Sequence, residues 1–572
     1  MLKNDFERPW LENYDKEVSP NLHYEDIAVY EYLDRVAQKY PQRKAIVFNN
    51  WKITYNKLKN ISETVAANLR GYGLNPGDRV AIMLPNLPQT IIAYWGVLKA
   101  GGTVVMTNPL YMEKEIVHHF TDSQSRFLVT LDLLWPKISK HMPRFKLDRV
   151  FITRISDCLR FPLTILYNIK MFREKKVQEI PYDDNKILAW NKLLKKGTVF
   201  VKYAPNPRHE LAALQYTGGT TGVSKGVMLT HYNLSANVKQ AMAVLHEVGH
   251  ENTVLGLLPY FHIYGLTVCV NFATAIGATL APYPRFVPRD VLKIIQKLKP
   301  TIFPCAPAVF MAMLQQKDID KFDLSSINYC ISGSAPIPVD VIERFKKMTG
   351  AEIIEGYGLT EASPITHLNP LRGRRKYGSI GLPFPDTDAA IVDMELGTVK
   401  LPSGKIGELI IKAPQVMKGY WSREDETASA LRNNWLYTGD IGYMDEQGYF
   451  YIVDRKKDLI ITGGYNVYPR EIDEVLHEHP KVKEAVSVGI PSETRGEVIK
   501  AYVVVRDGES LTKAEIVSFC REKLAGFKVP KKVEFRDELP KTIVGKVLRR
   551  ALREEEVTKM KNNLKGSQEQ DG

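Results

Sequence analysis

Short runs of apolar residues alternate with amphipathic helical patterns through the first 450 residues of the chain. Most of these runs end near Pro, Gly or Asn, as buried strands commonly do. The clearest of them cover residues 80–84, 104–106, 127–130, 301–303 and 329–331. Alternation of this kind predicts an α/β fold of layered subdomains, in which ligands bind beyond the carboxyl ends of the strands.

The pattern becomes richer in strands from about residue 378. A charged patch at 455–458 ends this part, and beyond it the sequence predicts a compact α+β unit that begins with a helix at about 470–478. We therefore predict a large N-terminal domain over 1–454, with a β-rich subdomain at about 378–454, and a small C-terminal domain over 459–572.

Composition narrows the class of protein and its partners. A chain of 572 residues with a net charge of +13 is too long for one hydrophobic core and attracts anions. It has no long Lys/Arg block and no zinc-finger spacing, so we expect no nucleic acid as partner. Five scattered cysteines without a CxxC pair indicate reduced thiols in a cytoplasmic enzyme.

Two apolar stretches bear on membrane contact. Residues 252–284 contain no charged side chain, but Pro259 and Gly265 interrupt them, so a buried helix beside a site is expected instead of a membrane span. On a helix over 161–176, the apolar residues share one face and four basic residues lie nearby. Such a helix either lies on an anionic bilayer or packs on its own domain, so peripheral membrane contact stays open.

A loop rich in glycine and hydroxyl side chains follows the strand-like run 211–215. Glycines let successive N–H groups point into one concavity, while hydroxyls and an ammonium add donors around it. The contributing residues would be Thr217, Gly218, Gly219, Thr220, Thr221, Gly222, Ser224 and Lys225. The composition favours binding of a polyphosphate, with a surface turn as the alternative, although the spacing differs from G-x-x-x-x-G-K-[ST].

Four further motifs follow in order, at 357–361, 437–440, 454–458 and 540–546. Together with the loop they resemble the motifs of the adenylate-forming enzymes, which include acyl-CoA synthetases, amino-acid adenylation domains and luciferases. The resemblance runs from about residue 25 to 555. It implies that the patch at 455–458 is a hinge, with Lys457 as the hinge residue, and that the C-terminal domain is a mobile lid.

The resemblance also implies roles at an ATP site. Gly333, Ser334 and Ala335 would line the adenine pocket, and Tyr357, followed by Gly358, would stack on the adenine. The Thr360 hydroxyl would bind the α-phosphate, and Glu361 would ligate Mg²⁺, since hard cations prefer carboxylate oxygens beside phosphates. A helix N-cap with Thr and Glu in its first turn is the alternative for this motif.

The remaining roles fall in the last third of the chain. Asp440 would accept bonds from the ribose hydroxyls with Arg455 as its partner, although turn chemistry alone would also explain Asp440. Lys546 would contact the substrate carboxylate and an α-phosphate oxygen, where a cation opposes the charge of the transition state. Gly463 and Gly464 would enter the site for CoA transfer, with a plain β-turn as the alternative.

The residue at position 262 indicates which class of acid the protein activates. Amino-acid adenylation domains have an aspartate there to pair with the substrate ammonium, and His262 removes that counter-charge. We count His262 among the candidate catalytic residues, with Lys546, Thr360 and Glu361. The stretch 434–455 resembles the signature of fatty acyl-CoA synthetases, except that Asn433-Asn434 replaces Asp-Gly and Tyr437 replaces His; Asn tolerates the same turn.

The expected activity is therefore activation of a long-chain fatty acid with ATP and Mg²⁺, followed by transfer to CoA, as in bacterial long-chain fatty acid–CoA ligases. Alternatives are a medium-chain or coumarate-like aryl acid–CoA ligase and an acyl-AMP ligase that loads a carrier protein. A non-catalytic acyl-binding protein is disfavoured, because Glu361, Asp440 and Lys546 are all present. The sequence leaves open whether the protein forms a homodimer.

Overall fold

The computed structural model describes residues 7–183, 185–217, 224–462, 465–492, 496–541 and 547–568. Its strands are β1 Lys44–Phe48, β2 Trp51–Thr54, β3 Arg79–Met83, β4 Thr103–Met106, β5 Phe127–Leu131, β6 Arg149–Thr153, β7 Ile187–Ala189, β8 Leu211–Thr217, β9 Lys225–Thr230, β10 Thr253–Gly256, β11 Thr279–Pro282, β12 Ile302–Cys305, β13 Tyr329–Ser332, β14 Glu352–Gly358, β15 Ile365–Leu368, β16 Leu382–Pro383, β17 Asp388–Val392, β18 Gly407–Lys412, β19 Gly419–Tyr420, β20 Leu431–Arg432, β21 Trp435–Met444, β22 Phe450–Arg455, β23 Ile460–Thr462, β24 Tyr465–Val467, β25 Val482–Ser492, β26 Gly496–Val505 and β27 Lys532–Phe535.

The α-helices are α1 Glu31–Lys39, α2 Tyr55–Gly71, α3 Pro88–Lys99, α4 Glu113–Ser123, α5 Trp135–Ser139, α6 Leu163–Arg173, α7 Asn191–Leu194, α8 His231–Val244, α9 Ala273–Ala275, α10 Pro288–Leu298, α11 Pro307–Leu314, α12 Val339–Thr349, α13 Glu424–Ala430, α14 Pro469–His477, α15 Lys513–Lys523 and α16 Arg549–Gln568. A π-helix over Gly265–Phe272 precedes α9.

The described chain divides into two units. The larger comprises Glu7–Asp388 and Ile411–Leu436, and the smaller comprises Ala389–Ile410 and the described residues from Tyr437 onward. The strand-rich segments on either side of 411–436 thus pack with the C-terminal residues.

Two mainly parallel sheets form the larger unit. One has the strand order β19-β9-β8-β4-β3-β5-β6-β7, and the other has the order β16-β15-β14-β13-β12-β10-β11-β1-β2. The five predicted apolar runs all fall on strands of these sheets, and the inner strands β4 and β5 are buried throughout. Strands buried on both faces read as continuous apolar runs, which is why the sequence revealed them.

The uncharged stretch 252–284 confirms the expectation of a buried helix. Every residue of the π-helix is buried, and β10 and β11 flank it in the second sheet. π-Helices are rare and are frequently found at functional sites. Over the described ranges, none of the helices has the length and apolarity required to cross a membrane.

The turn between β20 and β21 confirms the expected tolerance of asparagine. Asn433 and Asn434 have φ angles of 51° and 65°, in the left-handed region. A two-residue hairpin turn needs this geometry at both positions, and asparagine adopts it more readily than most residues.

In the smaller unit, residues 440–444 of β21 pair antiparallel with β22. The unit also contains a C-terminal sheet of order β24-β23-β26-β25, with β27 beside β26. The predicted helix at 470–478 is α14, displaced by one residue. The buried face of α14 packs with α15 on this C-terminal sheet, around a core that includes Ile472, Leu476, Ile499 and Ile516. This confirms a small α+β domain at the C-terminal end of the chain.

Candidate active site

The predicted phosphate loop joins two paired strands. Thr217 at the end of β8 lies opposite Lys225 at the start of β9, so the loop closes an antiparallel hairpin. Gly218, Gly219, Thr220, Thr221 and Gly222 lie outside the described residues. The carbonyl of Ser224 accepts a hydrogen bond of 2.8 Å from Nε2 of His118 on α4, which fixes the strand end beyond the loop.

Lys225 is half-buried and forms an ion pair with Glu426 on α13. Its Nζ also lies 5.2 Å from the centre of the Tyr420 ring. Burial lowers the pKa of Lys225, and the nearby Glu361 carboxylate opposes that shift. An anionic ligand at the loop would therefore compete with Glu426 for the ammonium group.

Glu361 is held by two hydrogen bonds from one segment. The Tyr420 hydroxyl donates to Oε1 of Glu361 at 2.7 Å, and the Met417 amide donates to the Glu361 carbonyl at 2.8 Å. Burial and the adjacent Glu361 raise the pKa of Tyr420 far above its usual value, so its hydroxyl keeps the donated proton. Because β19 pairs with β9, this segment brings Glu361 close to Lys225.

A metal ion at this place would depend on Glu361. Within the described ranges, no group of three or more His, Cys, Asp or Glu could hold a metal. Mg²⁺ is usually bound by one or two carboxylates together with substrate phosphates and water. A carboxylate near Lys225, where the predicted phosphate loop ends, fits that ion.

Hydrogen bonds and close backbone contacts from neighbouring segments fix the turn that carries Thr360 and Glu361. Ser363 has a φ of 74°; its carbonyl accepts from Thr267 Oγ1 at 2.7 Å and its hydroxyl donates to the Gln415 carbonyl at 2.9 Å. A Cβ on Gly358 would lie 2.2 Å from the Pro364 carbonyl oxygen. Thr360 and Glu361 lie in the single turn of a three-residue 3₁₀ helix, Thr360–Ala362, which ends before β15.

The predicted adenine-binding residues lie at the carboxyl ends of two adjacent parallel strands, β13 and β14. Gly333 follows β13, and Tyr357 lies near the end of β14, where its ring meets that of His367 edge-on at 5.8 Å. A Cβ on Gly333 would come within 3.3 Å of the Tyr264 ring. Ser334, at φ 75°, is exposed, and Ala335 is half-buried. The expected grouping of 333–335 with 357–358 follows from the strand order.

His262 lies in the segment between β10 and the π-helix. Nδ1 of His262 accepts a hydrogen bond from the Tyr264 amide at 3.2 Å, which places the ring proton on Nε2. Burial lowers the pKa of His262 to about 4, so the ring is neutral at pH 7. Asn86 braces the segment by donating to the Leu258 carbonyl at 2.8 Å and accepting from the Tyr260 amide at 2.9 Å.

In the smaller unit, Asp440 and Arg455 are cross-strand neighbours on β21 and β22. Nε of Arg455 lies 2.9 Å from Oδ1 of Asp440, which is 3% exposed. The Asp440 amide donates to Thr438 Oγ1 at 3.0 Å. The two residues predicted for the ribose thus form an ion pair, and the hydroxyl of Thr438 fixes the backbone at Asp440.

The predicted hinge residue Lys457 lies in a 3₁₀ turn, Lys456–Asp458. Its carbonyl accepts a hydrogen bond of 3.2 Å from Nη1 of Arg553 on α16. Gly463, Gly464 and Lys546 lie outside the described residues. The roles expected for them stay predictions.

Sequence reasoning missed Tyr420 and Glu426, which contact Glu361 and Lys225. Neither residue belongs to a recognisable motif, because Tyr420 sits on a two-residue edge strand and Glu426 on a short exposed helix. It also missed Arg553, a basic residue on a polar C-terminal helix. No local pattern distinguishes such residues from ordinary surface side chains.

The two mainly parallel sheets make the larger unit an α/β domain, and the Lys225–Tyr420–Glu361 cluster lies where the β8–β9 hairpin meets β19. Two domain profiles, described as "AMP-binding enzyme" and "AMP-binding enzyme C-terminal domain", match residues 33–421 and 471–546. The chain belongs to the AMP-binding enzyme family, so the expected superfamily and fold class are confirmed.

Relatives of the chain match it over almost their full length. It is 47% identical over 96% of its length to a long-chain-fatty-acid–CoA ligase of Bacillus subtilis (strain 168), covering 98% of that protein. A ligase with the same name from Escherichia coli O6:H1 is 40% identical, over 97% of this chain and 99% of that protein. The crystal structure of ATP-bound MatB from Rhodopseudomonas palustris is 29% identical, with a TM-score of 0.80 over 92% of this chain and 99% of that one.

Proposed function

We propose that the protein is a long-chain fatty acid–CoA ligase that forms acyl-CoA, AMP and pyrophosphate from the acid, ATP and CoA. The observation that carries the proposal is the grouping of Lys225, Tyr420 and Glu361 beside the phosphate loop. The near full-length similarity to ligases of that name supports the acid and the acceptor.

The reaction has two steps. In the first, a carboxylate oxygen of the acid attacks the α-phosphorus of ATP, and the bond to the pyrophosphate oxygen breaks. In the second, the CoA thiolate attacks the acyl carbon and AMP leaves. The first step brings two anions together, so the site must supply positive charge and hydrogen-bond donors at the phosphates.

Residues of the larger unit supply that charge. Lys225, released from Glu426, would bind the β- or γ-phosphate together with the loop amides and the hydroxyls of Thr217 and Ser224. Thr360 would donate to the α-phosphate. Glu361 would hold Mg²⁺, which neutralises phosphate charge when bound; Tyr420 would keep the Glu361 carboxylate in one orientation.

Residues of the smaller unit act on the ribose and in the second step. Asp440 would accept from the ribose hydroxyls, and Arg455 would move aside or share them. Lys546 would contact the acid carboxylate and the α-phosphate. Lys457 would be the hinge of the lid, and Gly463 and Gly464 would line the path of the CoA thiol.

The neutral His262 ring suits a carboxylic acid without an ammonium group. An uncharged imidazole with its proton on Nε2 can donate to a carboxylate or an adenylate oxygen, while offering no counter-charge to an amino acid. Long-chain acids partition into bilayers, so the enzyme would work in the cytoplasm at a membrane surface.

The test is AMP release with ATP and Mg²⁺ across acetate, octanoate, palmitate, oleate and coumarate, each with and without CoA. We expect CoA-dependent release that is greatest with palmitate or oleate. A maximum with coumarate would replace the proposal by an aryl-CoA ligase. Pyrophosphate exchange without CoA-dependent AMP release would point to a carrier protein as the acceptor.

A further inference from the structure

Helix α6 presents an apolar stripe to solvent. None of its residues is buried, and the large apolar side chains on and beside it are 44–79% exposed. The stripe consists of Phe161, Ile165, Leu166, Ile169 and Phe172. At 3.6 residues per turn, Ile165, Ile169 and Phe172 fall within roughly 60° of one another around the helix axis.

The other face of α6 packs on the larger unit. Leu163, Tyr167 and Met171, each four residues apart, are half-buried. Asn50 fixes the approach to the helix, because its side chain accepts from the Arg160 amide at 3.0 Å and donates to the Arg160 carbonyl at 2.9 Å. The apolar stripe is therefore held outward by an anchored helix.

Positive charge borders this stripe. Residues 160–176 contain five basic side chains and a single acidic one, Glu174, which lies 2.7 Å from Lys176 and 3.7 Å from Lys170. An outward apolar stripe flanked by lysine and arginine is the pattern of a helix that lies in the plane of an anionic bilayer. A second copy of this chain is a poorer occupant, since a two-fold contact would place the same positive charges opposite each other.

We propose that α6 is the membrane-docking surface of the protein, and that its ligand is an anionic phospholipid bilayer. The phenylalanine and isoleucine side chains enter the boundary between headgroups and acyl chains, while Lys170, Arg173, Lys175 and Lys176 bind lipid phosphates. The inference rests on the proposed function only for the purpose of docking, which is access to an acid dissolved in the membrane. The test of docking is independent of that function, because vesicle binding is measured without substrate.

The experiment is vesicle flotation of the full chain at low and high salt. One set of vesicles is phosphatidylcholine, and the other contains equal parts of phosphatidylcholine and phosphatidylglycerol. We expect flotation with the anionic vesicles that weakens as salt rises, because salt screens the lysine and arginine charges. Phe161→Ser with Phe172→Ser should weaken this binding by at least about tenfold.

The control is Val199→Ser with Leu396→Ser, which removes two apolar side chains that are 82% and 72% exposed elsewhere. This variant should float like the unaltered protein. Both double variants should keep the pyrophosphate exchange measured with water-soluble octanoate, since they alter only surface side chains.

Three results would overturn the proposal. The first is that the unaltered protein does not float with anionic vesicles. The second is that the Phe161→Ser/Phe172→Ser variant floats as well as the unaltered protein. The third is that the control variant loses as much binding as the Phe161→Ser/Phe172→Ser variant. A dimer that dissociates in the α6 variant, without any flotation, would assign the stripe to a second copy instead.

Discussion

Tyr420 joins the two charged groups of the candidate phosphate site, because its hydroxyl binds Glu361 and its ring lies beside Lys225. We predict that Tyr420→Phe lowers kcat/KM for ATP by about tenfold or more, since a hydrogen bond to a charged group contributes roughly 1.5–3 kcal/mol. Phe keeps the ring beside Lys225, so stability should hardly change. Steady-state kinetics at several ATP concentrations measure the effect; unchanged kcat/KM would leave Tyr420 with a packing role only.

Glu361 is the candidate ligand for Mg²⁺. We predict that Glu361→Gln raises the Mg²⁺ concentration for half-maximal pyrophosphate exchange at least about tenfold, because a neutral amide replaces a hard anionic ligand. Glu426→Gln is the matched control, since Glu426 pairs with Lys225 and has no assigned metal role. A metal titration that does not distinguish Glu361→Gln from the unaltered protein would remove Glu361 as a ligand.

At the scale of elements, the turn after β14 carries the candidate catalytic residues Thr360 and Glu361. We predict that Gly358→Ala destabilises the protein by about 1–3 kcal/mol and lowers adenylation at least about tenfold, because its Cβ would lie 2.2 Å from a backbone oxygen. Gly526→Ala should be neutral, since a Cβ there meets nothing within 4 Å. Thermal unfolding and pyrophosphate exchange measure both; a stable, active Gly358→Ala would show that the turn is adaptable.

The elements themselves were largely predictable. Buried parallel strands such as β4 and β5 appear in the sequence as apolar runs, and the Asn433–Asn434 turn follows from the tolerance of asparagine for positive φ. The length of the turn at Thr360 was not predictable in the same way. Pairing of β15 with β14 limits the turn to three residues, and the local sequence does not report that pairing.

At the scale of the whole molecule, the second step requires movement at Lys457 if it is the hinge. We predict that Lys457→Pro leaves pyrophosphate exchange nearly intact and abolishes thioester formation, because proline fixes φ at about −65°. Lys457→Ala should keep both activities. The two half-reactions are assayed separately, the second with supplied acyl adenylate and CoA. Unimpaired overall turnover of Lys457→Pro would place the hinge elsewhere.

We expect acid stability to depend on four histidines of the larger unit whose pKa values are lowered by burial. Burial lowers the pKa of His119, His231 and His367 to about 3 and that of His262 to about 4. In the unfolded chain these groups bind protons below pH ~6.5, so stability is full above that pH and falls as pH drops towards 4.

We predict that His231→Gln reduces the slope of unfolding free energy against pH by up to about 1.4 kcal/mol per unit below pH ~6. The exposed His209→Gln is the control. Urea unfolding between pH 5 and 8 measures the slope. Parallel curves for the His231 variant and the unaltered protein would contradict the prediction.

The sequence by itself determined the family and five of the buried strands of the two large sheets, and it supplied the motifs on which the proposed ATP-site roles rest, because these depend on local composition and on motifs in a fixed order. Only the tertiary structure decided that Glu426 neutralises Lys225 and that Tyr420 orients Glu361, 59 residues away. It also decided that α6 turns its apolar stripe to solvent, since periodicity specifies that a helix has an apolar face and leaves open which face is packed. Such contacts arise when strand pairing brings distant segments together, as β19 does against β9, and a linear pattern carries no record of that pairing.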